Sequence, residues 1–276
     1  MSRYTFPLAV QIALPENYLR SAEVSEQMAL ISDRGLRGVE VNFADPAKLN
    51  PGELNRFLAD FGLELTYFAS GLTAKTFNLS LSSTTEEIRR SSVKMMEQII
   101  GKLSESDTGR GVIVGFFKGG PGTDSENRNR AFRESLEELV PLAEQMKVSI
   151  CVEATNRYES CVANTVDDAR MIVDGLPTGV VEILPDTFHM NIEEKNVAAA
   201  LEDNRDLYRS IHLSDNNRFL PGLGAIDFEK TLRHLKQIGY AGGIALEGNI
   251  QDTFAADLIE ATSYLEDIQK RIEPSR

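Results

Sequence analysis

A repeat constrains this chain more than any single motif. Short apolar, β-branched runs recur along the 276 residues, each followed by a polar-faced stretch. The runs are LAVQIAL (8–14), GVEVNF (38–43), LELTYFA (63–69), GVIVGFF (111–117), VSICVE (148–153), GVVEIL (179–184), RSIHLS (209–214) and GGIALE (242–247). Between them, SAEVSEQMALISDRG, TTEEIRRSSVKMMEQIIGKL, ENRNRAFRESLEELVPLAEQM, TVDDARMIVDGL and FEKTLRHLKQIG read as amphipathic helices, several of them ending in Gly as helix C-termini often do. Thr84 and Glu87 have capping-box spacing. The apolar runs read as buried along their length rather than alternating, which marks parallel strands covered on both faces. Eight βα units of roughly thirty residues predict a single (β/α)8 TIM barrel over residues 1–276. An open doubly wound sheet is the alternative. No Gly-x-Gly-x-x-Gly follows the first run, so a dinucleotide site has little support.

Net charge is −13 and the pI is near 4.8. That argues against a nucleic-acid partner, whose binding rests on cationic neutralisation of phosphates. The amino terminus, MSRYTFPLAV, has no signal-peptide apolar stretch, and no segment approaches the length of a membrane span. Cys151 and Cys161 are too few for a disulfide framework and read as reduced thiols, so a cytoplasmic location is expected.

In a barrel of this kind chemistry sits at the carboxyl ends of the strands. The fifth run ends in Glu153, the sixth leads into Asp186, the seventh carries His212 and the eighth ends in Glu247, each about one βα unit from the next. Any one of these alone reads as a cap, a loop residue or a core histidine. Four in succession place three carboxylates and one imidazole around half the rim. Three converging negative charges repel unless something positive sits among them. Oxygen-rich ligands with one imidazole suit Mn²⁺, Mg²⁺ or Co²⁺. His189, just past Asp186, reads as a substrate contact, with hydrogen-bonded support of a ligand carboxylate as the other reading. Arg157 and Glu159 lie after the fifth run, and Arg218 after the seventh is placed to reach a substrate oxygen. Glu40 and Asn42 point inward if Val39 and Val41 point out. Lys118, in FFKGGPG, faces the mouth or is a plain surface lysine, and His234 reads as a surface residue of a helix.

The segments VEATNRYE, DTFHMNIEE and HLSDNNRFLPGLGAIDF, with a strand-eight Glu, resemble the ketose 3-epimerases, of the D-tagatose and D-psicose 3-epimerase kind, in the xylose isomerase-like TIM barrel superfamily. The resemblance is most specific between about residues 150 and 250. It implies one divalent metal, Mn²⁺ by preference, on Glu153, Asp186, His212 and Glu247. It implies Glu153 and Glu247 as the acid–base pair, and Glu159, His189 and Arg218 as substrate contacts; Lys118, from its place after the fourth run, is a further substrate-contact candidate outside the resemblance. The implied activity is inversion of C3 of a ketose or keto sugar acid through a metal-bound enediolate. Related barrels extend this to sugar-phosphate epimerases, hydroxypyruvate isomerases and inosose dehydratases. A metal-dependent hydrolase or nuclease is disfavoured by a total of three histidines and by the acidic charge. A non-catalytic sugar-binding barrel is disfavoured by the complete ligand set. The family also implies a homo-oligomer, dimer or tetramer. One departure stands out. The chain has no tryptophan, which leaves Phe43, Phe68, Phe116 or Phe117 to pack against a sugar.

Overall fold

The computed structural model describes residues 4–109 and 111–272. Eight strands lie in one sheet: β1 (Leu8–Ala13), β2 (Gly38–Asn42), β3 (Glu64–Ala69), β4 (Gly111–Val114), β5 (Ser149–Glu153), β6 (Val181–Leu184), β7 (Ser210–Leu213) and β8 (Gly243–Leu246). Around them run α1 (Ala22–Asp33), α2 (Pro51–Asp60), α3 (Gly71–Phe77), α4 (Glu86–Leu103), α5 (Ser125–Met146), α6 (Val166–Val173), α7 (Thr187–Glu193), α8 (Val197–Asp203), α9 (Phe228–Gln237) and α10 (Phe254–Ile272).

All pairings are parallel, in the order β6-β5-β4-β3-β2-β1-β8-β7. The remaining seam, between β6 and β7, is closed by the Ile183 N–H donating to the Leu207 carbonyl and the His212 N–H donating to the Pro185 carbonyl, each at 2.9 Å. The fold is therefore the expected (β/α)8 barrel. Asp186 and His212 form a bridge on that seam, so closing the sheet is what sets them side by side.

Strands β4, β6 and β7 are buried along their whole length and β5 from Ile150 onward, as unalternating apolar runs require. Outward-facing Val112, Ile150, Ile183 and Ile211 pack under the helices, while Tyr67, Ile113, Cys151 and Leu184 form a smaller cluster inside the barrel. Truncating a fully buried aliphatic such as Leu246 to Ala costs about 2–5 kcal/mol.

Two local expectations change. The run 111–117 stops being a strand at Val114, and Phe116–Lys118 form a single 3-10 turn. The capping box expected at Thr84 and Glu87 does not form. Thr85 is the N-cap of α4, without a side-chain cap bond, while the complete box sits at Thr165 and Asp168 on α6.

Candidate active site and metal centre

Glu153 ends β5, Asp186 is the N-cap of α7 just beyond β6, His212 lies within β7, and Glu247 follows β8. One ligand atom from each lies within 4.8 Å of all the others. His212 Nδ1 is 2.5 Å from Glu247 Oε2, 3.3 Å from Glu153 Oε1 and 3.8 Å from Asp186 Oδ2. Yet His212 Nδ1, Glu153 Oε1 and Glu247 Oε2 are buried without a hydrogen-bond partner. A buried polar atom left in that state costs about 1–3 kcal/mol. Donor atoms that converge without hydrogen-bond geometry are satisfied together by one cation. The residues present therefore fit a divalent metal.

The other ring nitrogen of His212, Nε2, lies 2.8 Å from Glu40 Oε2, and both side chains are buried. A carboxylate that takes the far N–H of a histidine fixes its tautomer and aims the near nitrogen at a metal. Burial opposes a charge on His212, but the Glu40 and Glu247 carboxylates outweigh it and hold the imidazole well above its ordinary pKa. The cluster thus draws positive charge to the point where the four residues meet.

Arg218 supplies part of that charge. Its Nη1 donates to Asp186 Oδ2 at 2.6 Å and its Nη2 lies 2.9 Å from Glu247 Oε1. Burial raises the pKa of both carboxyls, but the Arg218 guanidinium leads the forces that hold each below its usual value. Its guanidinium lies 5.0 Å from the centre of the Phe188 ring, and its backbone is left-handed, with φ 63°. The loop is tied down by buried Asp215, whose carboxylate accepts from the N–H groups of Gly222, Gly224 and Ile226. A Cβ on Gly224 would lie 2.4 Å from Asp215 Oδ1, so this turn requires glycine.

A cavity of about 500 Å³ opens over the cluster, lined among others by Asn42, Phe116, Glu159, His189, Arg218 and Asn249. His189 Nδ1 accepts from the Asn156 backbone N–H at 3.1 Å, which leaves its Nε2–H as the donor. Glu159 is held by the Asn156 side chain at 3.4 Å. A second cavity, of about 520 Å³, lies at the amino-terminal end of the barrel among Tyr67, Glu182, Arg209 and Tyr240; it contains none of the four convergent residues.

Seven of the eight expected site residues therefore come together at one mouth: Glu153, Glu159, His189, Arg218 and Glu247 line it, and Asp186 joins the cluster from its buried position. His212, fully buried, completes that cluster from beneath. Lys118 departs from both readings. It is fully buried, and its ammonium donates to the Glu153 carbonyl and to Thr155 Oγ1 at 2.6 Å. Burial lowers its pKa to about 7, against the raising pull of Glu153 and Glu159. It bonds the backbone of Glu153 from within the barrel wall and does not line the mouth. Of the four phenylalanines considered, Phe116 lines the cavity, while Phe43, Phe68 and Phe117 are core residues. Arg157 pairs with Glu193 at 2.6 Å. His234 is part-buried on α9, 3.9 Å from Glu202.

Two determinants went unread in the sequence. Glu40 was legible as inward-facing, but not as the partner of His212. Gly115 follows the truncated β4, and a Cβ there would lie 1.9 Å from Glu153 Oε2. The glycine makes room for the carboxylate.

Fold and site together define a barrel whose carboxyl-end residues can hold a metal beside a sugar-sized cavity. Residues 28–269 match the family model described as xylose isomerase-like TIM barrel, and the chain belongs to that family. A 3-dehydro-D-guloside 4-epimerase of Escherichia coli is 31% identical over 253 residues, 87% of this chain and 90% of that protein. A D-psicose 3-epimerase of Enterocloster bolteae is 39% identical over 121 residues, 44% of this chain and 40% of that protein. The apo crystal structure of a 3-keto-D-glucoside 4-epimerase from E. coli superposes with a TM-score of 0.80 at 28% identity, covering 95% of this chain and all of that one. These relatives are sugar epimerases, enzymes of the isomerase class. No helix among the described residues is long and apolar enough to cross a membrane.

Proposed function

We propose that the chain is a divalent-metal-dependent sugar epimerase that inverts a carbinol carbon next to a ketone. The observation that carries this is the convergence of two buried or half-buried glutamates, Glu153 and Glu247, on one imidazole and one aspartate under a polar cavity. Both kinds of relative fit the same chemistry. A ketose 3-epimerase inverts C3 beside a C2 carbonyl, and a 3-keto glycoside 4-epimerase inverts C4 beside a C3 carbonyl.

Glu153, Asp186, His212 and Glu247 would hold the metal, with Mn²⁺ as the preferred ion. When bound, the cation supplies Lewis-acid stabilisation of the negative charge that develops on the substrate oxygens, worth several kcal/mol. Glu153 and Glu247 act as the proton-transfer pair. They come from β5 and β8, on either side of the Asp186–His212 seam, so one can remove the proton from one face of the substrate while the other returns it to the opposite face. Each such transfer contributes on the order of 10²–10⁴-fold. Arg218, already bonded to Asp186 and beside Glu247, stabilises developing oxyanion charge. The His189 Nε2–H and Glu159 orient the hydroxyls that flank the reacting carbon.

The ketose reading follows from the DTFHMNIEE and HLSDNNRF segments. A second reading, a cyclic 3-keto glycoside inverted at C4, is favoured by the breadth of the match to the E. coli 4-epimerase. A panel of free ketoses, keto sugar acids and 3-keto glycosides with Mn²⁺, followed by NMR, tests both. Inversion at the carbon next to the carbonyl is expected for one class, and no inversion in any member would defeat the proposal.

A further inference from the structure

A second hollow adjoins the metal cavity. It is about 580 Å³ in volume and lies between the far half of α3 and the loop that precedes α4, lined by Asn78, Ser80, Ser83 and Thr84. Lys75 and Phe116 line both it and the metal cavity, so these two side chains form the ridge between them. Phe116 is 39% exposed, although it belongs to a segment whose neighbours Phe117 and Lys118 are fully buried. The Lys75 ammonium sits 4.8 Å from the centre of the Phe116 ring, and no carboxylate among the described residues pairs with it.

We propose that the hollow is a second-ring subsite and that the substrate is a glycoside carrying a further sugar unit. This rests on the epimerase reading above and narrows its substrate class. The reacting ring occupies the cavity over the metal cluster. The second ring crosses the Lys75–Phe116 ridge and lies in the hollow. The chemistry of the lining matches a sugar ring. An exposed aromatic offers a face for its C–H groups, a role suited to a ring that buries much area with little conformational freedom. The Lys75 ammonium, which has no carboxylate partner among the described residues, the Asn78 amide and the hydroxyls of Ser80, Ser83 and Thr84 offer short polar contacts to its hydroxyls. A pocket of about 300–1,000 Å³ holds a drug-sized ligand. A lone hexose over the metal leaves the adjoining hollow unused.

Calorimetric titration of the purified protein with Mn²⁺ present tests this without turnover. The probes are methyl β-D-glucoside for one ring and cellobiose, maltose and sophorose for two. At least one disaccharide is expected to bind tenfold or more tighter than the methyl glucoside. That ratio is expected to fall below threefold in both Phe116→Ala and Lys75→Met. Equal one-ring and two-ring affinities in the unaltered chain would overturn the subsite, as would a ratio that survives both substitutions. The panel described above reports separately on the epimerase reading. If the ratio holds while no sugar is epimerised, the subsite stands and the assigned reaction falls.

Discussion

His212 Nε2 and Glu40 Oε2 lie 2.8 Å apart, joining β7 to β2 inside a barrel whose sheet runs through β1 and β8 between them. The contact turns the opposite ring nitrogen towards Glu153, Asp186 and Glu247. In the proposed metal site this gives Glu40 a positioning role, since it contacts His212 and is not one of the four convergent residues. Replacing such a carboxylate costs about 10–100-fold in metal affinity or activity. Glu40→Gln is therefore expected to weaken Mn²⁺ binding by that factor in a direct titration, with the fold retained. Unchanged affinity would remove the orienting role.

Arg218 keeps protons off two carboxylates of the cluster. Burial pushes the Asp186 and Glu247 carboxyls up, and Arg218 is the largest force pulling them down. In Arg218→Met the largest lowering influence is lost, both pKa values rise, and protons compete with a bound metal at higher pH. The acidic limb of Mn²⁺ affinity is expected to move up by at least one pH unit. Superimposable limbs for the two proteins would contradict this.

Gly115 is the cheapest way to displace Glu153 without touching its charge. A Cβ at Gly115 would lie 1.9 Å from Glu153 Oε2, so Gly115→Ala must shift the carboxylate. Turnover is expected to drop on the order of 10²-fold, which is what a misplaced catalytic group costs, with melting temperature within a few degrees of the unaltered protein. Full activity would place the catalytic carboxylate elsewhere.

Lys118 gives a pH signature in stability. Its folded pKa is about 7 against an ordinary 10.5, because burial disfavours the charge. Below about 7 the ammonium is charged in both folded and unfolded chains, and the native state carries the whole cost. Between about 7 and 10.5 the unfolded chain binds the extra proton, so that cost fades as pH rises. The stability of the natural chain relative to Lys118→Met is expected to improve by up to about 1.4 kcal/mol per pH unit across that window. A pH-independent difference in denaturant titrations would show that Lys118 is not neutralised there.

The sequence carried the barrel because eight apolar runs with helical stretches between them leave few other closed solutions. It carried the four-residue cluster because strand exits are where such barrels place their chemistry. The same rule could not orient side chains. Lys118 follows β4 as Glu153 ends β5, but the truncation at Val114 and the turn of Phe116–Lys118 carry the lysine beneath the mouth instead of into it. Glu40 lay in plain sight in GVEVNF, yet its partner is 172 residues away and only barrel closure brings them together. Gly115 carries no side chain to notice, and its meaning lies in the space it leaves. Thr84 and Glu87 show the limit of spacing alone, since the chain enters α4 one residue later than that pattern requires.

In the proposed reaction Glu153 and Glu247 exchange the proton on a carbon beside a ketone. Turnover of an accepted sugar in D₂O, followed by ¹H NMR, reads this directly. One deuterium at the inverted carbon per conversion is expected, with both exchange and inversion lost in Glu153→Gln and in Glu247→Gln. Inversion without deuterium uptake, or normal inversion in both variants, would contradict it.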